Sequence, residues 1–168
     1  MNIFILSINP TEAAEAHGDK HVVKMILETA QLLYTAHWVL SGTPDLSSAP
    51  SRKSGEAGYM PIRNANHPSA IWARSSILHY IWLCDLGMAL CAEYRYRFAD
   101  RTHGCEEHIF WLYAHPPVSI LDNGWMAPPQ AMPVEMRRGD AIAAYREYYR
   151  KGKAHLLSYT KRRNPHWL

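Results

Sequence analysis

Between residues 20 and 40 the chain places apolar side chains at helical spacing. At about 100° per residue, Val22, Ile26, Ala30, Leu33 and Leu40 fall on one side, with Met25, Leu27, Leu32 and Trp38 on its flanks. The polar residues His21, Lys24, Glu28, Gln31 and Thr35 are confined to an arc only about 80° wide. A helix this apolar must be largely buried. Its polar strip is then either a narrow solvent edge or the wall of a cleft. A His, an amine, a carboxylate and an amide in one line favour the cleft, because a partly desolvated carboxylate can act as a general acid or base. The competing reading is an i,i+4 ion pair between Lys24 and Glu28, worth a few tenths of a kcal/mol.

The same reasoning predicts the remaining elements. Residues 2–8, NIFILSI, read as a buried strand or extended segment. Asn9-Pro10-Thr11-Glu12 is a helix start, with Asn as cap and Pro in the first turn. Gly18 breaks that short helix, and Asp19 is expected to cap the next one, from about Lys20 to Leu40. Residues 41–58, rich in Ser, Gly and Pro, predict a mobile surface loop, either a lid or a variable insertion. His67-Pro68 opens the longest helical pattern, running to about Phe98, with Trp72, Leu78, Trp82 and Leu86 as its buried face. A shorter helix is expected near Cys105–Ala114. Residues 115–139 carry five prolines, resist regular structure and are expected to wrap the domain and bury Trp125, Met126 and Met132. A last helix runs from near Asp140 to about Leu157. The fold class is therefore all-α, a single helical domain over 1–168 with a flexible loop near 41–58 and a basic C-terminal helix and tail.

Length and composition agree with one domain large enough for a real core. No run of eighteen apolar residues predicts a membrane span, and the apolar N-terminus lacks the basic start of a signal peptide. Cys84, Cys91 and Cys105 have no metal or disulfide spacing and read as small buried hydrophobes of a reducing compartment. A cytoplasmic location is expected, the host cytoplasm if the chain is phage-encoded, with no membrane and no obligatory protein partner.

Charge changes the picture more. Residues 137–168 hold nine Lys and Arg against two acids, so that end is +7 while the rest is −4. Arg146 and Lys153, interleaved with Tyr145, Tyr148, Tyr149, Tyr159 and Trp167, can hold phosphate and stack on bases; a solvated helix face explains the pattern equally well. Asn64, Asn66, His67, Trp72 and Arg74 cluster at a loop-to-helix junction whose free N–H groups suit an anion, or simply form an Asn/His cap. His17 and His21 have the i,i+4 spacing of two metal ligands, but Gly18 interrupts the helix and no third ligand follows at a recognised spacing. Glu93 and Arg97 read as an isolated i,i+4 pair. Ser7, Ser75 and Ser76 lack the turn context of a nucleophile.

Two resemblances follow. The stretches DKHVVKMILETAQLL, NHPSAIWARSS, PPQAMP and AYREYYRKGKA resemble a family of similar length carried by tailed phages and large DNA viruses, which implies no activity. Asp19-Lys20-His21 followed by Glu28, and Asn66-His67-Pro68 followed by a long helix with Glu93 and Arg97, are similar to the pyrimidine-dimer DNA glycosylases of the endonuclease V family. That resemblance implies a small, all-helical, metal-independent enzyme without a cofactor, acting on DNA. Glu28 would take the place of the catalytic carboxylate and His21 that of a DNA-contacting histidine. The family attacks the sugar C1′ with the α-amine of a small residue exposed by removal of Met. Here Asn follows Met1, which normally leaves Met in place. The α-amine of Met1, Lys20 or Lys24 would then supply the amine, or the Schiff-base chemistry is lost.

The sequence thus leads to an N-glycosidic-bond enzyme acting on a damaged or modified base in DNA, or on a nucleotide, with abasic-site lyase activity as a possible extension. Glu28, His21, Lys24 and Met1 are the expected catalytic residues. Asn66, His67, Trp72, Arg74, Gln31, Arg146 and Lys153 are the expected substrate contacts, Trp72 receiving an extruded base. The alternatives are a non-catalytic viral nucleic-acid or nucleotide binder, and a metal-dependent hydrolase using His17 and His21.

Overall fold

A computed structural model describes residues 1–168 as six α-helices with no β-strand. They are α1 (Pro10–Ala16), α2 (Asp19–Ser41), α3 (Pro68–Ser75), α4 (Ile77–Arg97), α5 (Glu106–Ala114) and α6 (Ala141–Gly152). Single 3-10 turns occur at Val134–Met136 and Ala154–Leu156. α2 and α4 form the central pair. α1 and α5 lie against α4, and α3 packs on both α2 and α4. No single helix is long and apolar enough to cross a membrane.

Several boundaries follow from local chemistry. The Asn9 side chain accepts from Thr11 and Glu12 N–H, ending the orphan donors of α1. The start of α2 differs from expectation. Gly18 is the cap and Asp19 is already helical. The Asp19 carboxylate is instead drawn to Arg97 and to the Thr160 N–H and hydroxyl. The helix expected from His67 to Phe98 is two helices bent by 112°. Ser76 is extended, and its hydroxyl accepts from Leu78 N–H to start α4. The same hydroxyl accepts from Asn123 N–H, so it also pins the Pro-rich segment. Neither Gly nor Pro marks this break, which is why the apolar pattern runs through it.

Residues 2–7 form a buried extended segment without a sheet partner. Phe4 within it has a left-handed backbone, φ 53°, a costly state for a bulky residue. Four buried aromatic rings, those of His17, His21, Tyr145 and Tyr149, pack against the Phe4 ring and hold it there. The 41–58 loop is not a free flap. Leu46 and Ala49 are buried, and Ser51 pairs with Ala57. Of the residues expected inside, Trp72, Trp82, Leu86 and Met132 are buried, while Leu78, Trp125 and Met126 are exposed. All three cysteines are free and buried.

Two glycines set close approaches. A Cβ at Gly87, in the middle of α4, would lie 3.0 Å from both Ile109 and Thr29, so its absence lets α2 and α5 press on α4. Gly58 closes the loop with φ +62°, and a Cβ there would sit 2.8 Å from the Tyr34 ring. Gly58→Ala is expected to destabilise the protein by about 2–4 kcal/mol, combining a left-handed backbone with overpacking. Gly55→Ala, also at positive φ but with nothing within 4 Å, should cost about 1 kcal/mol. Urea unfolding of the two variants checks the difference; equal losses would contradict it.

Candidate functional site

The polar strip divides in two. At its C-terminal end, the Thr35 hydroxyl donates to the Gln31 carbonyl at 2.7 Å and accepts from Ile62 N–H at 3.0 Å. That end fastens the 59–63 segment and is structural. The N-terminal end, His21, Lys24 and Glu28, lines a cavity of about 410 Å³ together with Met1, Asn2, Lys20 and Lys153. Phe4, Met25, Ala131, Tyr148 and Leu156 supply its less polar walls. Four separate pieces of chain build it: the extended N-terminus, the first turns of α2, the Pro-rich segment and the end of α6.

Glu28 sits on the wall with only 8% of its surface exposed. Its Oε2 accepts from the backbone N–H of Asn2 at 2.9 Å, and its Oε1 lies 3.3 Å from Lys24 Nζ. Asn2 is held in turn on every polar atom of its side chain. Its amide donates to the Ala131 carbonyl, and its Oδ1 accepts from Tyr145 and from Ile3 N–H. The left-handed turn at Phe4 carries the N-terminus over α2 so that residue 2 reaches the carboxylate. The i,i+4 pair is therefore real, but it is one part of a larger constellation. Lys20, Lys24 and Lys153 place three cations around a single carboxylate, a charge pattern suited to an anionic ligand.

His21 is buried and stays neutral. Burial, then the charges of His17, Lys153 and Lys24, push it down to about 3. His17 is pushed down to about 4, mainly by burial, and its Nδ1 contacts the Ala13 carbonyl. No group of three or more His, Cys, Asp or Glu side chains is arranged to hold a metal ion. The expected His17–His21 ligand pair is thus split, one ring turned to its own helix and the other to α6.

His37 is likewise held down to about 4 by burial. The unfolded chain therefore takes up protons near the ordinary histidine value of about 6.5 that the folded chain refuses. Stability is full above that value and falls as pH drops from about 6.5 toward 3–4, levelling once the folded histidines also protonate. Between pH 7 and pH 5 each of these three histidines is expected to remove about 2 kcal/mol. Urea unfolding at the two pH values measures it; equal stability would contradict neutral burial.

The other expected contacts are distributed differently. His67 caps α3, its Nδ1 accepting from Ser69 N–H. Its pKa is lowered by burial and by the amino-terminal charge and raised by Glu28, so it neighbours the cavity without lining it. Arg74 is spent on the turn before α3, donating to the Ala65 carbonyl at 2.6 Å and to Asn66 Oδ1 at 3.4 Å. The role expected for Trp72 does not hold. It is buried, stacked on His79 at 4.3 Å, and its indole N–H donates to the Met126 carbonyl. No face is left for an extruded base. Gln31 is half-buried outside the cavity lining. Arg146 faces a second cavity, of about 580 Å³, where it donates to the Leu6 carbonyl and lies over Trp167.

Asn2 and Phe4 are not foreseen by the sequence, whereas Tyr148 and Tyr149 enter it only within the general basic and aromatic pattern of the C-terminal end. The sharper signal for that pair is its helical spacing: Ala141, Ala144, Tyr145, Tyr148 and Tyr149 share one face of α6. No family model matches the chain, and neither the curated proteins nor the solved structures include a significant match.

Proposed function

We propose that the cavity is the active site of an enzyme that cleaves the N-glycosidic bond of a damaged or modified base in DNA, or of a nucleotide. The observation that carries this reading is Glu28: a nearly buried carboxylate, fixed by Asn2 N–H and Lys24, on a cavity that also contains Met1 and two further lysines. Loss of a base leaves positive charge on the sugar C1′ and ring oxygen. A fixed carboxylate beside that carbon stabilises it without reorganising. The lysines hold the neighbouring phosphates, where each neutralised phosphate adds affinity at low salt. An amine, at Met1, Lys20 or Lys24, can add to C1′ as the glycosidic electron pair leaves with the base, passing its proton to Glu28. With Trp72 unavailable, two aromatic rings line the cavity, the buried Phe4 and the half-buried Tyr148, and Tyr148 is the one a base can reach.

Incubation with duplexes carrying damaged, modified or abasic sites in the presence of borohydride tests the reading. An adduct mapping to the peptide of Met1, Lys20 or Lys24 supports it. No cleavage and no adduct on any duplex, with Glu28→Gln binding DNA like wild type, overturns it in favour of a non-catalytic binder.

A further inference from the structure

His21 is the one histidine on the cavity wall, and its two ring nitrogens have different surroundings. Nδ1 lies 2.7 Å from the Tyr149 hydroxyl, whereas Nε2 has no protein hydrogen-bond partner and is not among the buried unpartnered atoms. Tyr149 comes from α6, is completely buried and has no other side-chain or carbonyl partner for its hydroxyl. These contacts fix the direction of the proton. If Nδ1 carried hydrogen, the Tyr149 hydroxyl would accept it, and its own hydrogen would be buried without an acceptor. With the hydroxyl donating to Nδ1, every group is satisfied.

We propose that Tyr149 is a positioning residue that locks His21 as the neutral tautomer with hydrogen on Nε2, so that the cavity presents a hydrogen-bond donor at this point. In treating the cavity as the site of chemistry, this rests on the function proposed above. The consequence is a division of labour. His21 cannot accept a proton through Nε2, so it is not the general base. It binds an acceptor oxygen of the sugar-phosphate, and Glu28 is left as the proton acceptor.

The electrostatic surroundings support a neutral ring. Lys20, Lys24 and Glu28 from its own helix, His17 from the preceding turn, the α-amine of Met1 from the N-terminal segment, and Lys153, Tyr148 and Tyr149 from α6 or just beyond it are the titratable groups around it. The cations outnumber the single carboxylate, which disfavours an imidazolium. Phe4, whose ring centroid is 4.8 Å from that of His21, closes the ring off from water on one side.

Long-range proton–nitrogen correlation NMR on the full, nitrogen-15-labelled chain tests this directly and needs no substrate. The expected result is a pyridine-type Nδ1 and a protonated Nε2 for His21, unchanged from pH 5 to pH 8. A proton on Nδ1, or an imidazolium forming within that range, overturns the proposal. Tyr149→Phe, which removes the donor to Nδ1, is expected to give a mixture of tautomers. If that variant keeps the pure Nε2–H form, Tyr149 is not what sets it. Should the variant fail to fold, the wild-type spectrum still decides the tautomer. Absence of base release would overturn the function proposed above, yet leave this measurement to stand or fall on its own.

Discussion

Glu28→Gln is expected to lower turnover by a factor of about 10²–10⁴, roughly 3–5 kcal/mol in the barrier, while leaving the fold intact. The amide keeps the shape of the carboxylate and still accepts from Asn2 N–H, so the N-terminal segment stays in place. What it loses is the negative charge that, in the proposed reaction, faces developing positive charge on the sugar. The ion pair with Lys24 is lost too, but Lys24 is exposed and the pair contributes only a few tenths of a kcal/mol to stability. Single-turnover kinetics on a cleaved duplex, with thermal unfolding alongside, separate the two effects. A variant that unfolds at lower temperature but retains its specific activity while folded would show Glu28 to be structural.

The largest effect on stability is expected away from the cavity, at Arg97. Its side chain is fully buried and holds four groups. It donates to Glu93 at 2.8 Å, to Asp19 at 3.1 Å, to the His17 carbonyl at 2.7 Å and to the Glu15 carbonyl at 2.9 Å. Arg162 from the tail joins the same Glu93, and Thr160 the same Asp19. One guanidinium thus ties α1, the start of α2, the end of α4 and the C-terminal tail. Arg97→Met leaves two buried carboxylates without their shared cation, so a loss of about 3–5 kcal/mol is expected in urea unfolding. Because the hub fixes Gly18 and Asp19, just before His21, the loss should be accompanied by weaker Tyr149–His21 contact. A loss under 1 kcal/mol would mean that Arg162 alone carries the network.

These two sites mark how far the sequence can be read. The polar strip on α2 is visible because its chemistry repeats along one helix, and helical geometry fixes which residues share a face. The same arithmetic finds Glu93 and Arg97 together, but only as a pair. Asp19 and the carbonyls of Glu15 and His17 are some eighty residues away in sequence and reach Arg97 through the packing of α1 on α4. The bend between α3 and α4 escapes because Ser75 and Ser76 carry no breaker signal; a serine hydroxyl becomes a cap only when Asn123 and Leu78 are brought to it. Trp72 illustrates a different limit. An aromatic residue near a polar junction reads alike whether it meets ligand or core, and His79 and Met126 decide the matter in three dimensions.

The cavity itself lies between these cases. Half of it, from Lys20 to Glu28, is a single helical face. The other half, Asn2, Tyr148 and Lys153, joins that face only because Phe4 adopts a left-handed backbone and α6 lays its tyrosines against the N-terminus. No spacing rule foretells a positive φ at phenylalanine.

Mass-spectrometric detection of free base tests the central claim most directly. Wild-type protein and Glu28→Gln would be incubated with a panel of duplexes, each carrying one damaged or modified base. The account predicts that at least one duplex releases its free base with wild type and at most a hundredth as fast with the variant. Release at equal rates by both proteins, or no release from any duplex that the protein binds, would contradict it.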